Sequence, residues 1–496
     1  MNKKDSGNKI LSKFLSISVG SWIAMLIGFL STPVITRLLS PEEFGKVSLF
    51  LLVVEVLTAI ILFGSDQSFI RFFYEEQSNK RPVLLRKSLY LPLLLYAGIA
   101  LLFLCFYQIF SRLLFSESSL YLIGLLLVYV LLRIFSTWSS LVIRMQQKGK
   151  LFSLIQVLNK LIEFIGILVF AYLLGDQYEV LIYAQITFMV IVTIIAISIE
   201  FHFWDFSKQK GVKLDSTFYE RIKYGFPLMI TLLMTLAFQS VDRITIRIWA
   251  GYNEVGLYFA AFKIIALLNM LQINFTAFWT PLSYEKYKKN PKQTQFFHNA
   301  HQIVAYSMLM IAVIVLMSKG IIIALLGAEY QQAEHIVPFL VFIPLMYTVS
   351  EISVIGINFY KKTGWHIFIT IFVFAVNLLG NILLVPVIGA VGAAVSTGLS
   401  YILFYMLRTY FSTRYYKVDY GTKKFSISVS CLVMYAFYAT FYKDGVVSFL
   451  LGITLLVVIT LIYYQVVNEI INYFKKWINK GNTGSDVYEN FDDRTR

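Results

Sequence analysis

The stretch VDRITIRIWAGYNEVGLYFAAFKI, residues 241–264, joins two long apolar runs through a turn of a few residues. The runs extend over 224–246 and 256–279, and about twenty apolar residues are what a helix needs to cross the hydrocarbon of a bilayer. Both are continuously apolar and do not alternate, which favours helices over barrel strands. Even so, Asp242, Arg243 and Lys263 lie inside them. The stretch therefore predicts two membrane-spanning helices that keep charged side chains within the membrane.

Apolar runs of this kind fill the whole chain. Of its 496 residues, 58% are hydrophobic and only 14% are charged, whereas soluble domains carry about a quarter charged residues. We predict an all-α membrane protein with about fourteen transmembrane helices, and with no metal or cofactor site. The predicted spans are 14–36, 47–69, 88–110, 120–143, 151–174, 180–201, 224–246, 256–279, 301–326, 336–359, 364–386, 391–411, 425–442 and 446–467.

The positions of lysine and arginine predict the orientation. Of 43 such residues, 33 fall in the two termini and in alternate loops, and only 6 fall in the other loops. Cytoplasmic loops carry the excess of positive residues, so both termini are predicted inside, in an N-in/C-in topology. This distribution also explains the net charge of +15 without a nucleic-acid partner.

Two loop-and-helix segments look alike and suggest an internal repeat. The segments TRLLSPEEFGKVSLF (36–50) and IRIWAGYNEVGLYFA (246–260) each have an arginine, then a glutamate, an apolar residue and a glycine. Parallel repeats of this kind are a transporter design. We predict two six-helix lobes followed by two further helices and a disordered cytoplasmic tail, over 1–223, 224–424, 425–474 and 475–496.

Three segments also resemble a known family. They are RLLSPEEFGKVSLF with the following GSDQSFIRFFYEE (64–76), residues 241–264, and NLLGNILLVPVIGAVGAAVSTGLSY (377–401). Together they resemble the polysaccharide and lipopolysaccharide flippases of the multidrug/oligosaccharidyl-lipid/polysaccharide exporter superfamily.

The resemblance implies a two-lobed transporter that works by alternating access in the bacterial cytoplasmic membrane. Its substrate would be an undecaprenyl-diphosphate-linked oligosaccharide, moved from the inner to the outer leaflet for cell-surface polysaccharide biosynthesis. A polysaccharide polymerase and glycosyltransferases would be its protein partners.

Basic residues at membrane depth are the candidate substrate-binding groups. Each costs about 2.5–3.5 kcal/mol to insert, so it is expected to face a cavity or a partner. Arginine and lysine can replace the hydration of a lipid diphosphate with charge-assisted hydrogen bonds. Lys263 and Arg243 lead, because they also match the Asp-Arg…Lys pattern of the family. The full set is Lys263, Arg243, Arg133, Lys160, Arg37 and Arg247, the last two at corresponding outer positions of the two lobes.

A purely structural interpretation stays open for several of these charges. Lys160 and Glu163 are three residues apart on one helix and could neutralise each other, and Arg133 could join them. Asp242 and Arg243 could be an interfacial anchor. The acidic residues could couple export to H⁺ or Na⁺, or could simply pair with the basic ones; they are Glu55, Asp66, Asp242, Glu351 and Glu163.

Two other functions compete with the flippase. An ion-coupled multidrug exporter of the same superfamily would more usually have twelve spans and fewer cavity cations. A membrane glycan polymerase or ligase would need catalytic groups outside the membrane, and every predicted outer loop here is short. The sequence also has no phosphate-binding loop for ATP hydrolysis, so we expect a transporter and not an enzyme.

Overall fold

The computed structural model describes residues 3–115, 117–205, 213–442, 445–469 and 471–472. For residues 3–19 and 21 only the backbone is described. The predicted tail 475–496 lies outside the described residues. Throughout the described chain the secondary structure is helical, and no strand occurs in those ranges.

The helices are numbered in chain order. They are α1 Lys3–Leu38, α2 Pro41–Leu62, α3 Ser65–Phe72, α4 Arg81–Cys105, α5 Tyr107–Phe115, α6 Leu120–Met145, α7 Gly149–Leu174, α8 Glu179–Ile199, α9 Phe201–Trp204, α10 Phe218–Trp249, α11 Gly251–Lys289, α12 Thr294–Met317, α13 Lys319–Ala324, α14 Val337–Leu340, α15 Phe342–Ser353, α16 Ile355–Phe359, α17 Gly364–Thr413, α18 Thr422–Phe441 and α19 Val446–Ile462. A 3-10 helix, Ala328–His335, precedes α14.

Ten helices in the described ranges are long and apolar enough to cross a membrane, or eleven if one bent pair counts as a single span. The prediction of an all-α, multi-pass membrane protein is confirmed. Every one of the predicted spans overlaps a helix, and two shorter apolar segments, Trp22–Leu38 and Val446–Ile462, fall on predicted spans. The total of fourteen and the N-in/C-in topology stay predictions.

The helix α17 is broken where the sequence predicts the end of one span and the start of the next. Ile388 and Gly389 leave helical geometry shortly after Pro386. Gly389 has a φ of +56°, in the left-handed region that favours glycine. The freed N–H of Ala390 donates to the Glu254 carboxylate at 3.0 Å. Pro386 thus marks the break, and Glu254 satisfies a backbone donor that the break exposes.

The helices group into two compact units. One comprises Met1–Leu267, Ile322–Ile336 and Asn377–Ser396, and the other Leu268–Ile321, Val337–Val376 and Thr397–Arg496. The core of the first includes Phe69 and Trp138, both fully buried. These units follow from contacts, whereas the predicted lobes follow from an internal repeat, so the lobe boundaries stay a prediction.

Two equivalent glutamates make equivalent contacts inside the first unit. Glu43 accepts a hydrogen bond from the N–H of Tyr178 at 2.8 Å, at the start of α8. The Glu254 carboxylate likewise accepts a hydrogen bond from the N–H of Ala390, at the start of the second half of α17. A carboxylate at a helix N-terminus satisfies unpaired N–H groups and interacts favourably with the helix dipole. The two contacts thus join α2 to the start of α8, and α11 to the second half of α17.

Each of the two repeated motifs has a glycine that packs against the backbone of the other motif. A Cβ added to Gly45 would lie 2.0 Å from the carbonyl oxygen of Tyr252, and one added to Gly256 would lie 1.8 Å from that of Pro41. In each motif the contacted carbonyl belongs to the residue four positions before the glycine. Only glycine allows this close approach of α2 to α11, and the contact holds the two repeated motifs together.

We expect Gly45→Ala and Gly256→Ala each to destabilise the protein by about 1–3 kcal/mol, because a backbone carbonyl cannot move away as a flexible side chain could. Gly98→Ala on α4 is the matched control, since an added Cβ there meets nothing within 4 Å. The measurement is thermal unfolding of the purified protein in detergent. Equal melting temperatures for all three variants would contradict the close contact.

Candidate functional site

A cavity of about 600 Å³ lies within the first unit. Its wall comes from α1, α2, α6, α7, α8 and the first half of α11. The charged side chains that line it are Arg133, Lys160, Lys263 and Glu163. Three basic groups against one acid make this a cationic cavity.

Lys263 reaches the cavity from α11, twelve residues after the helix begins at Gly251. At a rise of 1.5 Å per residue this is about 18 Å into the helix, close to half of a bilayer. The side chain is exposed to the cavity, and its ammonium lies 5.0 Å from the centroid of the Phe259 ring. Among the described residues it has no acidic partner within ion-pair distance. Lys263 thus holds an unneutralised positive charge at membrane depth.

Arg133 projects from the middle of α6, thirteen residues after Leu120 and twelve before Met145. It is also exposed and lines the cavity. No carboxylate of the described chain forms an ion pair with its guanidinium, so it does not join the neighbouring acid–base pair. Arg133 and Lys263 are therefore the two cavity cations whose charge is available to a ligand.

Lys160 and Glu163 on α7 neutralise each other. Their ion pair measures 2.6 Å, as the structural interpretation predicts for residues three apart. The second oxygen of Glu163 accepts from the Gln185 amide at 3.0 Å, and Gln185 in turn accepts from the Tyr129 hydroxyl. This network supports α7 and α8, and it leaves Lys160 with less charge to offer a ligand than Arg133 or Lys263.

Arg243 stands behind the cavity wall. Its guanidinium lies 5.9 Å from the Phe259 ring centroid and donates to the carbonyl oxygen of Ser48 at 3.4 Å. Phe259 itself lines the cavity, but Arg243 is not among the lining residues. Phe259 is thus the aromatic contact that Arg243 shares with Lys263.

Arg37 and Arg247 lie at the ends of α1 and α10, away from the cavity lining. Arg37 donates to the carbonyl oxygen of Leu325 at 3.2 Å, and the Arg247 guanidinium stacks 4.0 Å from the Tyr252 ring centroid. Both arginines lie at the end of the unit where α2 and α11 pack closely at Gly45 and Gly256. Their predicted role in receiving the diphosphate at the exit stays a prediction.

Most of the candidate ion-coupling acids have partners that account for them. Asp242 is 3% exposed and accepts from Tyr258 and from Asn381, the latter at 2.9 Å. In the second unit, Glu351 pairs with the nearly buried Arg408 at 2.8 Å. Asp66 lies in the first turn of α3, and its carboxylate accepts a hydrogen bond from the side-chain amide of the neighbouring Gln67. These contacts give three of the acids structural roles.

Glu55 differs from the other acids. It is exposed and has no ion-pair partner in the described part of the chain. On α2 it continues the stripe Phe44, Val47 and Leu51, which lines the cavity, because residues three or four apart share one helix face. Glu55 is therefore the one acid of the candidate set that no contact in the described part of the chain accounts for.

The sequence interpretation missed a neutral polar part of the wall. Ser136 and Ser140 on α6 and Asn159 on α7 line the cavity beside the cations. The sequence could have indicated these serines, because they lie three and seven residues after Arg133 and so share its face of the helix. Arg408, the partner of Glu351, was also missed.

The sequence profile of the family described as "Polysaccharide biosynthesis protein" matches residues 10–285. The chain belongs to this family, which confirms the assignment drawn from the three motifs. An uncharacterized membrane protein of Methanocaldococcus jannaschii is 24% identical over 459 residues, covering 86% of this chain and 89% of the relative.

Solved structures share the fold. The lipid II flippase MurJ in an inward closed conformation superposes with a TM-score of 0.65 at 16% identity, covering 92% of this chain and 99% of that one. An inward-facing multidrug resistance MATE family transporter of the MOP superfamily gives 0.58 at 16% identity, covering 85% and 99%. The chain therefore has the fold of MOP superfamily transporters.

The buried amide network around Asp242 makes a stability prediction. Asn381 donates to Asp242 and accepts from the Thr245 hydroxyl at 3.0 Å. Asn381→Leu should cost about 1–3 kcal/mol, because it removes a hydrogen-bond donor from the buried Asp242 carboxylate.

Asn274→Leu on α11 is the matched control, since in the described ranges the side chain of this half-buried residue hydrogen-bonds only to the carbonyl of Met270, one turn back. Thermal unfolding in detergent measures both variants. A control as unstable as Asn381→Leu would rule out a special role for the network.

Proposed function

We propose that this protein is a flippase for an undecaprenyl-diphosphate-linked oligosaccharide. It would move the lipid from the inner to the outer leaflet of the bacterial cytoplasmic membrane by alternating access, for cell-surface polysaccharide biosynthesis. The observation that carries the proposal is the pair of unneutralised cations, Lys263 and Arg133, in one cavity at membrane depth.

The headgroup of the proposed substrate is anionic. A lipid diphosphate carries about two negative charges that lose their water when the headgroup enters the membrane. Lys263 offers a compact ammonium and Arg133 a planar guanidinium that can bind two phosphate oxygens at once. A cation held without an acid partner is costly in the empty protein, and an anionic ligand removes that cost. The substrate and the cavity therefore neutralise each other.

The same charges argue against the competing functions. A cationic drug would be repelled by Lys263 and Arg133, which disfavours a multidrug exporter in spite of the shared fold. The transporter fold and the family support the view that the chain transports and is not an enzyme, against a glycan polymerase or ligase. The polymerase and glycosyltransferases of the pathway remain its expected partners.

Coupling to H⁺ or Na⁺ would fall to Glu55, the acid on the cavity stripe of α2. A carboxylate that gains or loses a cation there would change the field felt by Lys263 and Arg243. If a gradient drives export, a protonophore or removal of Na⁺ should slow it in wild type and have no further effect in Glu55→Gln. An unchanged response in that variant would exclude Glu55.

The test replaces Lys263 in the native host and measures surface glycan at matched protein level. We expect Lys263→Ala to reduce export at least about tenfold, because a charge-assisted hydrogen bond contributes about 1.5–3 kcal/mol. Lys263→Arg keeps the charge and should retain most of the activity. Lys289→Ala is the control on the same helix, since Lys289 lies at its end and pairs with Glu285 at 2.7 Å.

Normal export by Lys263→Ala would remove the cavity cation from the mechanism. Equal losses in Lys263→Ala and Lys289→Ala would show a general effect of charge on the helix and would equally contradict the proposal.

A further inference from the structure

The cavity is lined by neutral polar side chains as well as charged ones, and Ser136, Ser140 and Asn159 are here called the neutral wall. The charged side chains of the lining are Arg133, Lys160, Lys263 and Glu163. On the face of α6 that carries Arg133, Ser136 and Ser140 follow at one and two turns. The seven residues from Arg133 to Ser140 extend about 10 Å along the helix. The neutral wall thus runs from the cations toward the loop between α6 and α7.

The serines of this wall have hydroxyls free for a ligand. Most other hydroxyls of the lining donate to a carbonyl of their own helix: Ser31 to Ile27, Thr32 to Gly28 and Thr137 to Arg133. Within the described ranges, the side-chain hydroxyls of Ser136 and Ser140 make no such bond.

Asn159 adds an amide at the same depth. The helices α6 and α7 are joined by the short segment 146–148 and run antiparallel. Asn159 lies ten residues after α7 begins at Gly149, and Ser136 lies nine residues before α6 ends at Met145. The Asn159 amide oxygen is buried and has no hydrogen-bond donor in the described chain. A buried acceptor left in this state is costly, and rotation of the amide would turn the oxygen toward the cavity that Asn159 lines.

Neutral donors and acceptors beside a cationic site fit a particular ligand group. Sugars present uncharged hydroxyl and acetamido groups that both donate and accept hydrogen bonds. The one acid on this side, Glu163, is neutralised by Lys160. In a glycosyl diphosphate the first sugar is bonded directly to the phosphate, so it lies beside the charges. Ser136 is three residues from Arg133, about 4.5 Å along the helix axis.

We propose that Ser136, Ser140 and Asn159 form a subsite for the first sugar of the lipid-linked substrate, next to the diphosphate at Arg133 and Lys263. The subsite rests on the proposed flippase function and specifies it further. Such a subsite would select for a glycosylated lipid over the bare lipid diphosphate.

The experiment measures lipid binding to the purified full-length protein in nanodiscs. The two probes are undecaprenyl diphosphate and undecaprenyl diphosphate bearing one N-acetylglucosamine. Wild type should bind the glycosylated probe more tightly. The triple variant Ser136→Ala, Ser140→Ala and Asn159→Ala should bind it at least about tenfold more weakly, through the loss of up to three hydrogen bonds, and should bind the bare diphosphate as wild type does.

Two further variants make the outcome specific. Lys263→Ala should weaken the binding of both probes, because both carry the diphosphate. Ser139→Ala is the matched control: this neighbour of Ser140 is buried and donates to the carbonyl of Ser136, so both probes should bind as in wild type. Thermal unfolding confirms that each variant is folded.

The possible results separate the two proposals. If the triple variant loses affinity equally for both probes, or for neither, the sugar subsite is overturned while the flippase proposal stands. If wild type binds neither probe, the flippase proposal fails, and the subsite fails with it.

Discussion

Positive charge held at membrane depth without an acid partner is the constraint on which this account depends. Such a charge is costly in hydrocarbon, and two other cations of the protein are paired with acids. Lys160 is neutralised by Glu163, and Arg408 by Glu351. Lys263 and Arg133 are different, because both open onto a cavity of about 600 Å³ and neither has an ion-pair partner in the described chain. An anionic headgroup would supply the missing charge.

The helices around the cavity are fixed by contacts that the sequence repeats. Glu43 and Glu254 each satisfy the N-terminus of a later helix, and Gly45 and Gly256 each pack on a carbonyl of the other motif. Because α2 and α11 meet there backbone to backbone, the positions of their cavity-facing residues follow from the motifs. Lys263 comes two turns after Gly256 on α11, so the same contact that joins the helices positions the cation.

The sequence was a good guide where local spacing or hydropathy decides the structure. Long apolar runs predicted the helices, Pro386 predicted the break in α17, and a separation of three residues predicted the pair of Lys160 with Glu163. Lys263 was expected at membrane depth because it lies inside the apolar run 256–279. These features depend on residues close together in the chain, so helix geometry alone relates them.

Contacts between distant segments could not be predicted in this way. The bond of Asp242 to Asn381 joins residues 139 positions apart, and the motif that contains Asn381 gave no indication of its partner. Arg243 was expected to bind substrate, but helix periodicity could not show that it would lie against Phe259 and Ser48. The spacing of Ser136 and Ser140 puts them on the same helix face as Arg133. Only the structure shows that this face of α6 lines the cavity.

The decisive measurement is a structure of the purified protein with bound undecaprenyl diphosphate. We expect density for the two phosphates within hydrogen-bond distance of the Lys263 ammonium or the Arg133 guanidinium, inside the cavity. Phosphates bound instead beside Arg37 and Arg247, with the cavity empty, would contradict it.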